Sequence, residues 1–509
     1  MTESSHQGIS LMVRAFWLMF AKTLAFIFSL ALPLLLVRRL DQTQFGLYKQ
    51  VFLVVGSAVA ILPLGFSMSA FYFLPRERER QGQIVFNILL FNLTIGGAAC
   101  LALALRPTIL EAILNSSQLI VYAPLIGLII LLWIIASFLE IVAVAHQETR
   151  LATAFIIASQ LTRTVSLLSA AIVWGTVRSL IYAAIVHGLV QTAILLVYLN
   201  SRFKGFWRAF DLSALRMQLG YALPLGLAGL LFTLQIDLHN YFVSSQFGAA
   251  AFAIYAVGGF DLPLVGILGE SIGSVMIPRV SYLQKHNDHR EIIMLTAGVM
   301  RKLAVIYFPL YAFLMIAGRE FITFLFTDKY VASWPLFAVN ITLLPLNIIL
   351  TDPIMRAYAA HRFFLLKTRA ILLILFITFW IVARQHLSLL GVIIVVIGMN
   401  VIERAITAFK AARIVSVERR DFLLLKDVGK VALASGLASL VAALVHGFIR
   451  PDAKPLVVLV VCGAFFGIVY LMAILSLGIL TDAERDTVRR QLARLQRFWP
   501  WRRAVDPAV

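Results

Sequence analysis

The stretch VRRLDQTQFGLYKQ, Val37–Gln50, decides the fold. Two arginines, an aspartate, a lysine and three glutamines stand here between two apolar runs, each long enough to cross a bilayer. Further along, the chain reads QFGAAAFAIYAVGG, Gln246–Gly259, and the F-G-L-Y of Phe45–Tyr48 is echoed by the F-A-I-Y of Phe252–Tyr255. After the first echo comes an apolar run that stops at Pro75-Arg76; after the second, one that stops at Pro278-Arg279. Each stop opens a charged loop. A polar interruption that recurs at matching positions implies two copies of one helical plan.

Composition agrees. Of 509 residues, 61% are hydrophobic and 14% charged, with mean hydropathy +0.91. Soluble domains carry about 25% charged residues and about 45–50% apolar ones, so this chain has too little polar surface to face water. Its apolar runs of roughly 20 residues match the thickness of a bilayer core. They read as helices, because in lipid each backbone amide must find its partner within the segment or in a closed barrel. Barrel strands of about 10 residues would alternate in polarity, whereas these runs are continuous in Leu, Ile and Ala.

Spans are expected near 11–37, 48–73, 84–105, 118–143, 152–175, 179–199, 217–243, 250–275, 295–317, 333–355, 364–383, 386–409, 428–448 and 455–479. The fold class is therefore all-α integral membrane, with about 14 transmembrane helices. The first run is too long for the core of a signal peptide and carries Arg14 and Lys22, so it reads as a retained span. Lys and Arg collect in loops such as PRERER (75–80), SRFKGFWRAF (201–210) and VERRDFLLLK (417–426), which places both termini on the cytoplasmic side. Much of the net charge of +19 is this topology signal, with affinity for anionic headgroups, and calls for no nucleic acid. Thr481–Arg503 reads as an amphipathic helix on the inner membrane surface. Cys100 and Cys462 lie within apolar runs and read as small buried hydrophobes.

Spans one and seven begin on the same side, so the copies are parallel. Two six-helix halves related by a pseudo-two-fold axis along the membrane normal, with a substrate site between them, are a known transporter plan. The expected organisation is a six-helix bundle over 1–200, a second over 201–415, two additional transmembrane helices over 416–480, and a cytoplasmic amphipathic tail over 481–509. No G-x-x-x-x-G-K-[ST] and no G-x-G-x-x-G is present, so no nucleotide phosphate is gripped. Energy for transport would come from an ion gradient, the membrane potential or the substrate gradient.

RAFWLMFAKTLAFIFSLALPLLLVRRLDQTQFGLYKQVFLVV (14–55) resembles the opening of bacterial polysaccharide transporters of the Wzx-type flippase family. LGYALPLGLAGLLFTLQIDLHNYFVSSQFG (219–248) is similar to that family's seventh helix, SVMIPRVSYL (274–283) to its helix-eight exit, and REFITFLFTDKYVASWPLF (319–337) to its loop before helix ten. Where the family often carries an arginine beside the helix-seven acid, Leu238 and His239 follow Asp237 here. The resemblance implies the MOP/MATE-like exporter superfamily, with two six-helix bundles in a V around a central cavity. It also implies a flippase that turns a polyprenyl-diphosphate-linked oligosaccharide, an exopolysaccharide or O-antigen repeat unit, to the outer leaflet of the bacterial inner membrane. Membrane lipids, a glycan polymerase and glycosyltransferases are the accompanying partners. No cofactor is expected beyond a coupling ion, H⁺ or Na⁺.

Ionisable residues at membrane depth are costly and normally face a cavity or a partner. A lipid diphosphate crossing the membrane needs cations, and guanidinium matches phosphate geometry. The candidate substrate-binding residues are Arg14, Lys22, Arg163, Arg301, Arg356 and Arg404. Arg14 and Lys22 sit within about 80° of each other around their helix, ~12 Å apart along it. Gln160, Arg163 and Ser166 step by three along one stripe. Arg301 and Arg356 equally suit snorkelling to headgroups, Asp352 and Arg356 suit an i, i+4 pair, and Glu403 with Arg404 suits mutual neutralisation of neighbours. The candidate ion-coupling acids are Asp237, Asp261 and Glu270; the last two, ~180° apart on a helix, cannot share one site. Other readings are a cation-coupled multidrug antiporter of the same superfamily and a membrane scaffold of a glycan assembly complex. An enzyme is disfavoured, since neither a soluble domain nor a nucleophile–base pair or metal-ligand cluster is legible.

Overall fold

The computed structural model describes residues 24, 28, 31–208, 210–358, 362–450 and 453–479. Among them no strand occurs. The long helices are α1 (Gln42–Ile61), α2 (Gln81–Leu105), α3 (Ala123–Ala136), α4 (Phe138–Ala145), α5 (Thr149–Val173), α6 (Val177–Arg202), α7 (Leu212–Gly258), α8 (Pro263–Lys285), α9 (His289–Phe326), α10 (Arg362–Ala383), α11 (Leu389–Ile414), α12 (Lys426–Phe448) and α13 (Pro455–Ser476). Twelve helical stretches among the described residues are long and apolar enough to cross a membrane.

The difference from the expected 14 has local causes. The first expected span lies mostly outside the described residues. The tenth, 333–355, is broken into Trp334–Asn340, Leu343–Leu346 and Asp352–Ala357. Pro335, Pro345 and Pro353 sit one in each fragment, and a proline gives no N–H to the helix ladder, which favours helix starts and interruptions. The closely spaced fifth and sixth spans are distinct helices: the chain reverses at Gly175 (φ 61°) and restarts at a Thr176–Ser179 capping box.

The opening segment is more helical than its polarity suggests. Asp41 caps α1, its carboxylate accepting the Gln44 N–H at 2.7 Å. The helix therefore starts at Gln42, ahead of the expected 48, and carries Tyr48 and Lys49 about two turns inside.

The second echo behaves differently. At ~1.5 Å per residue, α7 would run about 70 Å, more than twice a ~30 Å bilayer core. It consists of two helical arms joined at Gly248 (φ 78°, ψ 179°), a backbone region open to glycine. F-A-I-Y lies on the second arm, which ends at Gly258; the chain restarts at Pro263. The expected eighth span is thus interrupted within its length. The first copy is interrupted too, between α1 and the Pro75-Arg76 stop, where Leu64 (φ 47°) and Gly65 (φ 67°) turn the chain.

Contact clustering divides the chain into two units. One comprises Met1–Glu270, Ile322–Asn340 and Ala359–Ala405; the other comprises Ser271–Phe321, Ile341–Tyr358 and Ile406–Val509. In the first, α1 lies antiparallel along α7. Gln50 donates to Ser244 Oγ (2.8 Å), the Tyr241 hydroxyl to the Leu53 carbonyl (3.4 Å), and Ser57 to Asp237 (2.8 Å), so partners ascend on one helix as they descend on the other. Backbone-close crossings bracket this seam. A Cβ on Gly46 would fall 1.9 Å from the Ala249 carbonyl oxygen, and one on Gly226 would fall 1.9 Å from that of Leu64. Beside the seam, Arg38 donates to the carbonyls of Phe324 and Leu325, each at 2.9 Å, at the C-terminal end of α9.

In the second unit, α12 and α13 pack along α9. Arg301 donates to the Ile479 carbonyl (3.0 Å), Tyr470 donates to the Val305 carbonyl (2.7 Å), Phe313 meets Phe466 (5.6 Å), and His446 pairs with Glu320 (3.3 Å).

The glycine crossings make a direct test. Gly46→Ala and Gly226→Ala should each destabilise the detergent-purified protein by about 1–3 kcal/mol or more, as overpacked interiors do. Gly56→Ala, where an added Cβ meets nothing within 4 Å, should leave the melting temperature unchanged. Equal melting of all three variants would contradict the seam.

Candidate functional site

The seam fixes one face of α1; the opposite face carries Tyr48 and Phe52, and Lys49 lies on the flank, one turn from both Phe45 and Leu53. Tyr48 and Phe52 rings lie 4.8 Å apart, Phe52 and Trp133 of α3 5.7 Å apart, and Trp133 meets the His187 ring of α6 edge-on at 5.6 Å. The Trp133 indole is pinned by donating to the Ala184 carbonyl at 3.2 Å. Onto this aromatic wall α5 projects Arg163, whose guanidinium carbon is 4.8 Å from the Trp133 ring centroid and 5.8 Å from that of Phe52. Both contacts fall within cation–π range. Lys49 Nζ stands 5.7 Å from the Phe45 ring.

A continuous run of rings, Phe45, Tyr48 and Phe52, lies between Lys49 and Arg163. Among the described residues neither Arg163 nor Lys49 has a carboxylate within 4 Å. Two like charges in a poorly screened environment repel, and aromatic faces offset only part of that cost. Arg163 Nε, His187 Nδ1 and the Gln191 side-chain nitrogen are buried and make no hydrogen bond. Chemically, the arrangement suits an anionic guest better than a cationic one.

The other expected residues fall elsewhere. Arg14 and Lys22 lie outside the described residues. Arg301 serves the backbone at Ile479, after the end of α13, where carbonyls lack helical partners. Arg356 pairs with Asp352 at 2.7 Å, the i, i+4 contact their spacing suggests. Arg404 is half-buried on α11. Its neighbour Glu403 accepts from Arg369 of α10 at 2.9 Å and from Gln235 of α7, which ties three helices together. Asp237 is half-buried and held by Ser57, while His239 turns instead to the Tyr255 hydroxyl at 2.9 Å. Asp261 lies in the break before α8, and Glu270 on α8; both are exposed, and neither is ion-paired among the described residues. No group of three or more His, Cys, Asp or Glu able to hold a metal ion occurs among the described residues.

Sequence reasoning missed Lys49, His187, Trp133 and Arg369. The signal for Lys49 was available: an N-cap aspartate at position 41 moves the lysine from the edge of the expected span to about two turns inside the helix. Nothing local marks His187 or Arg369, whose partners are remote in sequence.

The Arg369–Glu403 contact yields a second test. Arg369→Ala should destabilise the protein by about 1–3 kcal/mol, less than the ~3–5 kcal/mol for breaking a fully buried pair, because the arginine is partly exposed. Adding Glu403→Gln should restore much of the loss in a double-mutant cycle. Additive losses would show that the pair carries no coupling.

Among solved structures, the lipid II flippase MurJ in an inward closed conformation matches with TM-score 0.68 and 14% identity, over 92% of this chain and 99% of that one. An inward-facing multidrug resistance MATE family transporter of the MOP superfamily matches with TM-score 0.60 and 15% identity, over 79% of this chain and 96% of that one. A MOP superfamily transporter from Pyrococcus furiosus, described as having a binding pocket of reversed polarity, matches with TM-score 0.52 and 15% identity, over 79% and 95%. At these identities the likeness concerns the fold. No curated protein matches the sequence. The profile of the family described as "Polysaccharide biosynthesis protein" matches residues 16–335, more than half of the chain, and this membrane protein with a MurJ- and MATE-like fold belongs to that family.

Proposed function

We propose that the protein is a flippase for a polyprenyl-diphosphate-linked oligosaccharide, moving it from the inner to the outer leaflet of the bacterial cytoplasmic membrane. The observation that carries this reading is Arg163 seated on the Trp133–Phe52 wall, with Lys49 one turn before Phe52 on α1 and no carboxylate within 4 Å of either cation among the described residues. A diphosphate brings about two negative charges and many acceptor oxygens, and relieves the repulsion as it binds. Hydrogen bonds between ionised partners are about twice as strong as neutral ones. A hydrated guest of zero or positive charge would gain nothing there, so the field disfavours a multidrug antiporter for cationic compounds. Family membership supports a glycan substrate, and the MurJ fold supports a flippase.

The direction of transport rests on the basic loops, which orient both termini to the cytoplasm. The site would open to the two sides of the membrane in turn. Asp237, half-buried and without an ion-pair partner among the described residues, is the acid best placed to carry a coupling proton or Na⁺. A glycan polymerase and glycosyltransferases would supply and consume the substrate on either side.

Arg163→Ala and Lys49→Ala should each lower export of surface glycan roughly tenfold or more, the equivalent of one charge-assisted hydrogen bond of about 1.5–3 kcal/mol, at unchanged membrane abundance. Normal export by both variants would overturn the assignment. Asp237→Asn keeps an acceptor for Ser57 but removes the charge. Flipping of a polyprenyl-diphosphate sugar in proteoliposomes should then lose its response to an imposed ion gradient while gradient-free exchange persists; an unchanged response would remove Asp237 from coupling.

A further inference from the structure

The proposed flippase reading assigns Arg163 and Lys49 to the diphosphate; it leaves the buried groups behind them unexplained. His187 is 6% exposed and Gln191 3% exposed, and both sit on α6, one turn apart and hence on one face. His187 Nδ1 and the Gln191 amide nitrogen are orphaned. A buried donor or acceptor without a partner costs about 1–3 kcal/mol. Side chains this expensive, adjoining the cationic site, point to a guest with neutral polar groups of its own.

The surroundings specify that guest further. His187 touches the edge of Trp133, which also bears Arg163 on its ring. Phe52 and Tyr48 continue the aromatic surface. Cations, an imidazole and aromatic carbon are therefore contiguous, with the Gln191 amide one turn further along the same face of α6. A diphosphate alone uses the cations. A pyranose joined directly to it would use the rest: its hydroxyls both donate and accept, so they serve Gln191 as acceptors and His187 in either tautomer, while its C–H faces lie against aromatic carbon as sugars do in mostly apolar sites with few fixed polar groups.

We infer that the α6 face of this site, His187 and Gln191 with Trp133, is a subsite for the sugar attached directly to the lipid diphosphate, and so a determinant of glycan specificity. The inference rests on the diphosphate reading and goes one residue of substrate beyond it. Selection at that position would act on the one sugar that every repeat unit presents next to the lipid.

The test compares two kinds of probe on the full-length protein in detergent. One is a short-chain polyprenyl diphosphate. The other is the same lipid bearing one glucose, galactose or N-acetylglucosamine. Binding is read by displacement of a fluorescent lipid diphosphate. The wild type should bind at least one sugar-bearing lipid about tenfold tighter than the bare diphosphate. Gln191→Leu, which keeps side-chain volume, should erase most of that difference while leaving affinity for the bare diphosphate unchanged. Arg163→Ala should weaken both probes. Equal binding of all probes by the wild type, or equal weakening of both probe kinds by Gln191→Leu, or an undiminished sugar preference in that variant, would overturn the sugar subsite and leave the diphosphate reading standing. Unaltered binding of both probes by Arg163→Ala would overturn the diphosphate reading and the subsite with it.

Discussion

The contact between α1 and α7 is the constraint from which the rest follows. Helix α1 has no choice of rotation: Gly46 admits the Ala249 backbone, Leu64 enters the space left open by Gly226, and Gln50, Leu53 and Ser57 find partners along α7. Spaced by four, three and four, these positions form one seam of a helix packed against another. With that face occupied, Tyr48 and Phe52 must look the other way, toward α3 and α5. The cationic site is thus a consequence of a glycine-mediated close approach on the far side of the same helix. Interiors of packed helices transmit such constraints because they tolerate neither gaps nor overlap.

Charge within the spans divides by what it meets. Arg369 and Glu403 neutralise one another and, through Gln235, fasten α7 to α10 and α11. Arg356 and Asp352 cancel within a single turn, and Arg301 satisfies a backbone carbonyl. These charges are structural. Arg163 and Lys49 differ in kind, because neither has a carboxylate within 4 Å among the described residues. The proposed diphosphate is a guest that would compensate them.

The sequence echo also has a physical reading. Both copies enter a helix through an aromatic–small–aliphatic–tyrosine turn, and both helices are interrupted before the Pro-Arg stop, at Leu64–Gly65 in one and between Gly258 and Pro263 in the other. Interruptions expose backbone groups that lipid cannot satisfy, so they are tolerated where protein or water supplies partners. Phe45, Tyr48, Phe252 and Tyr255 are buried, so the echo is a packing motif in each copy.

Hydropathy by itself determined the class of protein, nearly every helix and their approximate limits, because a bilayer demands runs of fixed length and fixed polarity. Spacing alone foretold the Asp352–Arg356 pair and placed Arg163 on a polar stripe. Other features needed three dimensions. The fragmentation of 333–355 was written in its prolines, yet hydropathy averages over them. Lys49 looked like a charge at the very edge of a span because the polar run before it conceals a helix capped at Asp41. Whether an intramembrane charge is paired depends on residues far away in the chain, such as Arg369 for Glu403, and no periodicity carries that information. Sequence reports what each segment can tolerate around it; only the tertiary fold decides which segment arrives there, and therefore which charges are cancelled and which remain to bind.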